Sequence, residues 1–436
     1  MFTAYPPPEL PEPKHTRMRD VLARLIVAGL LAMVASACSG PDTPSLSLEP
    51  VDAPAEANTF APRLSVDADD RLLLSYLKET DEGHALQFVR YNDGAWASPQ
   101  TVAEGADWFA NWADTPGVRS VDEWLFAHWL VRSGPGTFHY DIHAAWSSDG
   151  GATWSDPFIL HGESRQAEHG FLSSVVLDDG ALGVAWLDGR DTVSDEEPHT
   201  SEHDHHAHAT DQGAMSLRWA RFEPGATEPT RDMELDDRVC DCCMTASVRE
   251  GADVRILYRD RTETEIRDIA SARITPSGYE NEGRVAQDDW EISACPVEGP
   301  AAARRGATTD AIWFTRSEGA PKVFWAQTEN DSANLGSPMR IDQGDPAGRV
   351  GAVAVDERRT LLTWIEAADS GNADGHIMAR MVRASDVSDA SELVPISTQR
   401  ASGFPVLART EAGAWIAWTD VSDDERRVQV GQIDSI

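Results

Sequence analysis

Gly170-Phe171-Leu172 opens a short apolar strand, a Gly/Asp turn follows, and Val184-Ala185-Trp186 closes a second apolar strand on an aromatic residue. The same two-strand phrase runs from Pro62-Arg63-Leu64-Ser65 to Leu74-Ser75-Tyr76, and returns near Asn111 with Leu125-Phe126-Ala127-His128-Trp129. Later copies end at Ile256-Leu257-Tyr258, Ile312-Trp313-Phe314, Leu362-Thr363-Trp364 and Ile416-Ala417-Trp418. That makes seven copies, mostly 50–60 residues apart. Past the N-terminal leader no stretch carries a helical period, so short strands at a regular long spacing indicate an all-β repeat array. Four strands per repeat is the content of a propeller blade. The seventh copy has only three strands before Ile436, and Leu46-Ser47-Leu48, with proline-rich flanks like those of Pro157–Leu160 and Pro338–Ile341, supplies the fourth. An N-terminal strand in that place removes the open edge of the ring. The predicted fold is therefore a single all-β domain over 45–436, a β-propeller of seven four-stranded blades (six is the alternative) closed by an N-terminal strand.

The chain has 436 residues, with 37 Lys and Arg against 73 Asp and Glu, a formal net charge of −36. A surface that acidic repels phosphate, which disfavours nucleic acid and anionic lipid surfaces as partners.

Lys14, Arg17, Arg19 and Arg24 precede an unbroken apolar run from Leu25 to Ala35, and Ser36-Ala37-Cys38-Ser39-Gly40 follows. A basic segment, an apolar run of about 11 residues and a small-residue cleavage site read as a secretory leader over 1–37, too short to span a bilayer. Met18-Arg19-Asp20 offers a more usual start than Met1. Cys38 after a small-residue run resembles a bacterial lipobox. That resemblance implies a diacylated Cys38 at the mature N-terminus, a tether over 38–44, and attachment to the outer membrane facing the periplasm.

Ser147-Ser148-Asp149-Gly150-Gly151-Ala152-Thr153-Trp154 reads S-x-D-x-G-x-T-W, with weaker versions at Asn92-Asp93-Gly94-Ala95-Trp96 and over 328–335. Through Ser147, Asp149, Gly151, Thr153 and Trp154 it resembles the Asp-box (BNR) repeat of sialidase-like β-propellers. Such boxes are turns between third and fourth strands, on the face away from the active site, so the resemblance implies the fold and little about activity. Physically, the Asp caps the turn, a Gly takes positive φ and the Trp packs between blades.

Sialidases open their first blade with an Arg-Ile-Pro phrase, whereas Phe60-Ala61-Pro62-Arg63-Leu64 puts the arginine after the proline. That departure puts the first substrate-clamping arginine in doubt. The resemblance still implies an alternative function as an exo-sialidase-like glycoside hydrolase acting on acidic sugars. Tyr258 would be activated by Glu265, Asp188 would be the acid, and Arg190, Arg259 and Arg267 would hold the substrate. The same Arg/Asp pairs also read as salt-bridged loop anchors. His128, on a strand, reads as a satisfied core histidine.

The cysteines carry the more specific signal. Cys240-Asp241-Cys242-Cys243 immediately precedes the fourth repeat's inner strand and Cys295 the fifth's, so neighbouring blades bring four sulfurs to one mouth of the channel. Glu168-His169-Gly170 enters the same face one blade earlier. The insert from Asp188 to Ala214 adds Glu202-His203-Asp204-His205-His206-Ala207-His208. Two readings stand. One is a copper or zinc site from Cys240, Cys242, Cys243, Cys295 and His169, with His203, His205, His206 and His208 on a mobile loop. The other is a pair of disulfides, one bridging Cys295 and one closing on Cys240, in a non-catalytic interaction scaffold. Tight disulfide loops are disfavoured where Cβ vectors alternate along an extended chain, so the leading expectation is a lipid-anchored envelope propeller for metal binding, delivery or redox chemistry. Its partners would be an envelope metalloprotein or a small-molecule or sugar ligand.

Overall fold

A computed structural model of the chain describes residues 45–193, 213–328, 334–368, 373–384, 386–422 and 425–434. They form seven antiparallel sheets and no α-helix. Each sheet is one blade, and the seven inner strands line a central channel: Thr59–Val66, Gly117–Val121, His169–Val176, Ala246–Glu250, Ala301–Arg305, Pro346–Ala354 and Val406–Thr410. The architecture is the seven-bladed propeller expected from the repeats. Blade 7 takes its outer strand from the N-terminus: Ser47–Val51 runs antiparallel to Glu425–Asp434, with Ser47 opposite Asp434. Leu46 N donates to Ser391 Oγ of blade 6 at 3.0 Å, which ties the closing segment to the neighbouring blade as well.

Seven hydrophobic clusters sit in the seven seams between blades. The second strand of each blade feeds two of them, because successive side chains on a strand point to opposite faces. In blade 4, Ile256 and Tyr258 pack toward blade 3 while Leu257 packs toward blade 5. This explains why the recurring phrase is continuously apolar instead of alternating: both faces of the strand are buried. Its terminal aromatics bring bulk with a polar handle. Trp186 Nε1 donates to Asp188 at 2.8 Å, Trp313 Nε1 to Asp288 at 2.8 Å and Trp364 Nε1 to Glu366 at 2.6 Å, so each indole is buried with its N–H satisfied.

The stretch Ser147–Trp154 turns between the third and fourth strands of blade 2. Asp149 accepts from the Thr153 amide at 2.9 Å and from its hydroxyl at 2.6 Å, while the Gly151 amide donates to Ser147 Oγ at 2.8 Å. Gly151 stands at φ 93°, and a Cβ there would collide with the Phe88 ring of blade 1, so the glycine serves both the turn and the seam. Trp154 meets the same ring edge-on at 6.0 Å.

The seams are the dominant store of stability. Trp364→Ala, which opens a cavity in the seam between blades 5 and 6 and removes one of the donors to Glu366, should destabilise the domain by about 3–5 kcal/mol in urea unfolding. A loss below about 1 kcal/mol, the range of ordinary surface substitutions, would show that the seam is not what holds the ring.

Candidate functional site at the channel mouth

Loops that precede inner strands and loops that follow second strands open on one face of the ring. On that face Cys240 pairs with Cys243 and Cys242 with Cys295, the Cα atoms 5.7 and 6.2 Å apart. The chain is not extended there. A turn at Asp241–Cys242 folds Cys243 back onto Cys240, which lifts the geometric objection to a short disulfide loop. In this state the sulfurs bond each other and offer no thiolate to a metal, although Cys240, Cys242 and Cys243 lie close enough together to hold one if reduced. His169 does not join them; it belongs to a second cluster with Asp141 and His161. His203, His205, His206 and His208 lie outside the described residues, as does Cys38.

The residues assigned to glycosidase chemistry come together only in part: Arg267 meets Glu265 and its carbonyl accepts from Arg259, whereas Tyr258 and the Asp188–Arg190 pair bond elsewhere. Tyr258 donates to Asp236 at 2.7 Å, and burial, reinforced by that carboxylate, pushes its pKa far up. Glu265 is gripped by Arg261 at 2.8 Å and Arg267 at 2.9 Å. Arg259 is buried, donates to the carbonyls of Glu298, Arg267 and Phe314 at 2.8, 2.6 and 2.7 Å, and lies 4.9 Å over Trp290. It bolts three segments together. Arg190 forks onto Asp188 at 2.7 and 2.6 Å. The arginines after the second strands are thus loop anchors, and no hydrogen bond joins Tyr258 to Glu265.

A different constellation occupies the mouth between blades 2 and 3. The Tyr140 hydroxyl lies 2.9 Å from Asp114 Oδ2 and 3.0 Å from Glu168 Oε1. Asp114 comes from the loop before blade 2's inner strand, Tyr140 starts that blade's third strand, and Glu168 precedes blade 3's inner strand. Tyr140 and Glu168 also bridge through their backbones. Asp114 Oδ1 accepts the Phe171 amide at 2.8 Å. A Cβ at Gly170 would collide with Asp114 and the tyrosine hydroxyl, so only glycine lets the strand pass this close. Burial pushes the Asp114 carboxyl up to about 6, and burial together with the Asp114 and Asp241 charges pushes Glu168 up to about 8. The hydroxyl has one proton to donate, so two carboxylates cannot both be served; the arrangement is complete when one carboxyl keeps its own proton and donates it back.

Charged and aromatic groups frame this centre. Arg63 is anchored on Thr115, Nε to Oγ1 at 2.8 Å, beside Asp114. Asp241, on the disulfide loop facing Glu168, pairs with Arg261 at 2.9 Å and Arg267 at 3.3 Å. Trp112 stacks on Phe404 at 5.6 Å with Arg400 over its ring at 5.9 Å. Below the mouth the channel lining includes Arg63, Arg119 and His128 and, among the described residues, no carboxylate. His128 Nε2 has no partner, and burial with the Arg63 charge holds that imidazole down to about 3. It is a buried histidine, as the sequence reading has it, bonded to the Thr115 backbone and also facing the channel. Asp114 and Tyr140 escaped that reading because single polar residues at strand starts look like turn residues, whereas Glu168 was placed on the mouth face without a role; the available signal was their shared position in the mouth-facing connections.

No family model matches the chain, and no curated protein matches it. Solved structures with similar folds include the polysaccharide lyase Uly1, at TM-score 0.52 and 10% identity over 92% of this chain and 94% of that one. Hadza microbial sialidase Hz136 is similar at TM-score 0.41 and 14% identity, over 70% and 63% of the two chains. A subtype N10 neuraminidase-like protein of A/little yellow-shouldered bat/Guatemala/060/2010 is similar at 0.45 and 9%, over 90% and 100%. At these identities the likeness is one of fold alone.

A carboxyl whose folded pKa is raised binds more protons folded than unfolded, so stability falls as pH rises from its unfolded value near 4 to its folded value. For Asp114 that window runs from about 4 to about 6. Asp114→Asn should remove this part of the pH dependence, on the scale of ~1.4 kcal/mol per displaced pKa unit. Chemical denaturation at pH 4.5 and 6.5 measures it; equal slopes for variant and parent would contradict the burial.

Proposed function

We propose that the protein is a glycan-cleaving enzyme, a glycoside hydrolase acting on acidic sugars, that works by proton transfer at the channel mouth. The observation that carries this reading is the Tyr140 hydroxyl held between the Asp114 and Glu168 carboxyls. Glu168 is the member open to the mouth and acts as general acid, delivering its proton to the leaving glycosidic oxygen. Tyr140 and Asp114, buried behind it, are positioning residues that hold the proton in place. Asp241, ion-paired with Arg261 and Arg267, stands opposite as the carboxylate that stabilises positive charge developing at the anomeric carbon. Arg63 and Arg400 supply charge for an acidic substituent. The copper or zinc reading of the cysteines takes second place, since it requires both disulfides to be reduced.

The disulfides fit an oxidising compartment, in line with the proposed anchoring of the chain through a diacylated Cys38 in the cell envelope. Cys38→Ser should move the protein from the membrane to the soluble fraction; unchanged membrane recovery would exclude the lipid.

The activity test is a panel of fluorogenic uronides and sialosides together with acidic oligosaccharides. Glu168→Gln should lower kcat by about 10²–10⁴-fold, and Tyr140→Phe should lower kcat more than it changes KM. No turnover across the panel, or full activity in Glu168→Gln, would overturn the assignment.

A further inference from the structure

We infer that Asp141, His161 and His169 form a binding site for a divalent metal ion of the zinc type, in the seam between blades 2 and 3 directly behind the Tyr140 and Glu168 pair. Asp141 is the second residue of blade 2's third strand, His161 follows that blade's outer strand, and His169 is the first residue of blade 3's inner strand. Both imidazoles are fully buried and stacked face to face, centroids 3.8 Å apart and planes 11° from parallel. Two rings with like polar edges do not choose a face-to-face sandwich for its own attraction.

One edge of the stack faces Asp141: its Oδ1 lies 3.5 Å from His161 Nε2 and 3.4 Å from His169 Nδ1. These separations match the edge of a tetrahedron of ligands around zinc, about 3.3–3.4 Å for bonds of about 2.0–2.1 Å. His169 Nδ1 lies 3.3 Å from the Tyr140 carbonyl, a hydrogen bond that the ring gives up when this nitrogen binds the ion. The opposite edge faces carboxylates, with Glu163 Oε1 at 2.6 Å from His169 Nε2 and 3.8 Å from His161 Nδ1, and Asp188 Oδ1 at 3.6 Å from His169 Nε2. Metal-bound histidines characteristically donate their other N–H to a carboxylate in this way.

The independent observation is that these groups fail to satisfy one another. On the Asp141 edge, Asp141 Oδ1 and His161 Nε2 are buried and without hydrogen-bond partners, 3.5 Å from each other. Orphaned polar atoms are scarce in folded proteins, and two that face each other across one edge of the stack call for a further component. The donor set is imidazole and carboxylate with no sulfur, which suits zinc(II) and not copper(I). The ion would also fix the two strand starts that present Tyr140 and Glu168, each adjacent in sequence to a ligand; this last consequence rests on the function proposed above, whereas the metal site does not.

The test is metal binding without substrate. The full chain, with His203, His205, His206 and His208 changed to Ala and the disulfides left oxidised, is stripped with chelator and titrated with zinc(II) alone. Binding of about one ion per chain with a rise in Tm is expected, weakened at least tenfold by Asp141→Asn and by His161→Ala. Cobalt(II) read by absorption spectroscopy in the otherwise unaltered chain keeps the test open should His161→Ala fail to fold. Nitrogen and oxygen ligation without thiolate charge transfer supports the site. A thiolate band, sub-stoichiometric zinc, or unchanged affinity in Asp141→Asn would overturn it, whatever the glycoside assays return.

Discussion

Each blade's second strand is buried on both faces, and the rest of the structure follows from that constraint. Alternate side chains of one strand enter two different seams, so no blade can complete its core without a neighbour on each side. A ring satisfies that demand and an open array does not, because an open array leaves two apolar faces in water. The closing strand Ser47–Val51 answers the companion problem of the unpaired edge, and Leu46 belongs to the same buried cluster as Trp418 and Ile433. Buried tryptophans recur at equivalent places because they fill a wedge-shaped seam while their indole N–H reaches an acceptor.

Once the seams hold the strands, the mouth connections can carry chemistry, although residues such as Phe109, Trp290 and Phe404 in them also pack into the seams. Between blades 2 and 3 this yields two polar clusters back to back. One holds Asp114, Tyr140 and Glu168 around a single hydroxyl, and the other holds Asp141, His161 and His169 around stacked imidazoles. The disulfide loop closes the arrangement from blade 4, setting Asp241 between Arg261 and Arg267 and opposite Glu168. Arginines that a sequence reader would assign to substrate are spent on fastening these loops, with Arg259 the plainest case.

A chain of net charge −36 nevertheless lines its channel with Arg63, Arg119 and His128 and, among the described residues, with no carboxylate. Overall charge and site charge are separate quantities. The first governs solubility and long-range repulsion, whereas the second is set by which few side chains the inner strands direct inward.

The repeat of a doubly apolar strand ending in an aromatic determined the all-β class, the blade number and the closing role of the N-terminal strand, because two-sided burial and a period of that length are local properties of sequence. The Ser147–Trp154 turn was equally legible, the hydrogen bonds among Ser147, Asp149, Gly151 and Thr153 running between residues at most four apart. The site was not. Asp114 and Tyr140 are 26 residues apart and Tyr140 and Glu168 are 28 apart, so their meeting depends on how two blades sit against each other. The cysteines show the same division. Which sulfurs share the mouth followed from their place before adjacent inner strands, but the choice between bonding one another and bonding a metal turned on the bend at Asp241–Cys242. His169 could be placed on the mouth face from sequence; only the tertiary structure put His161 and Asp141, not sulfur, beside it, because side-chain partners in a propeller are decided across the seam and not along the chain.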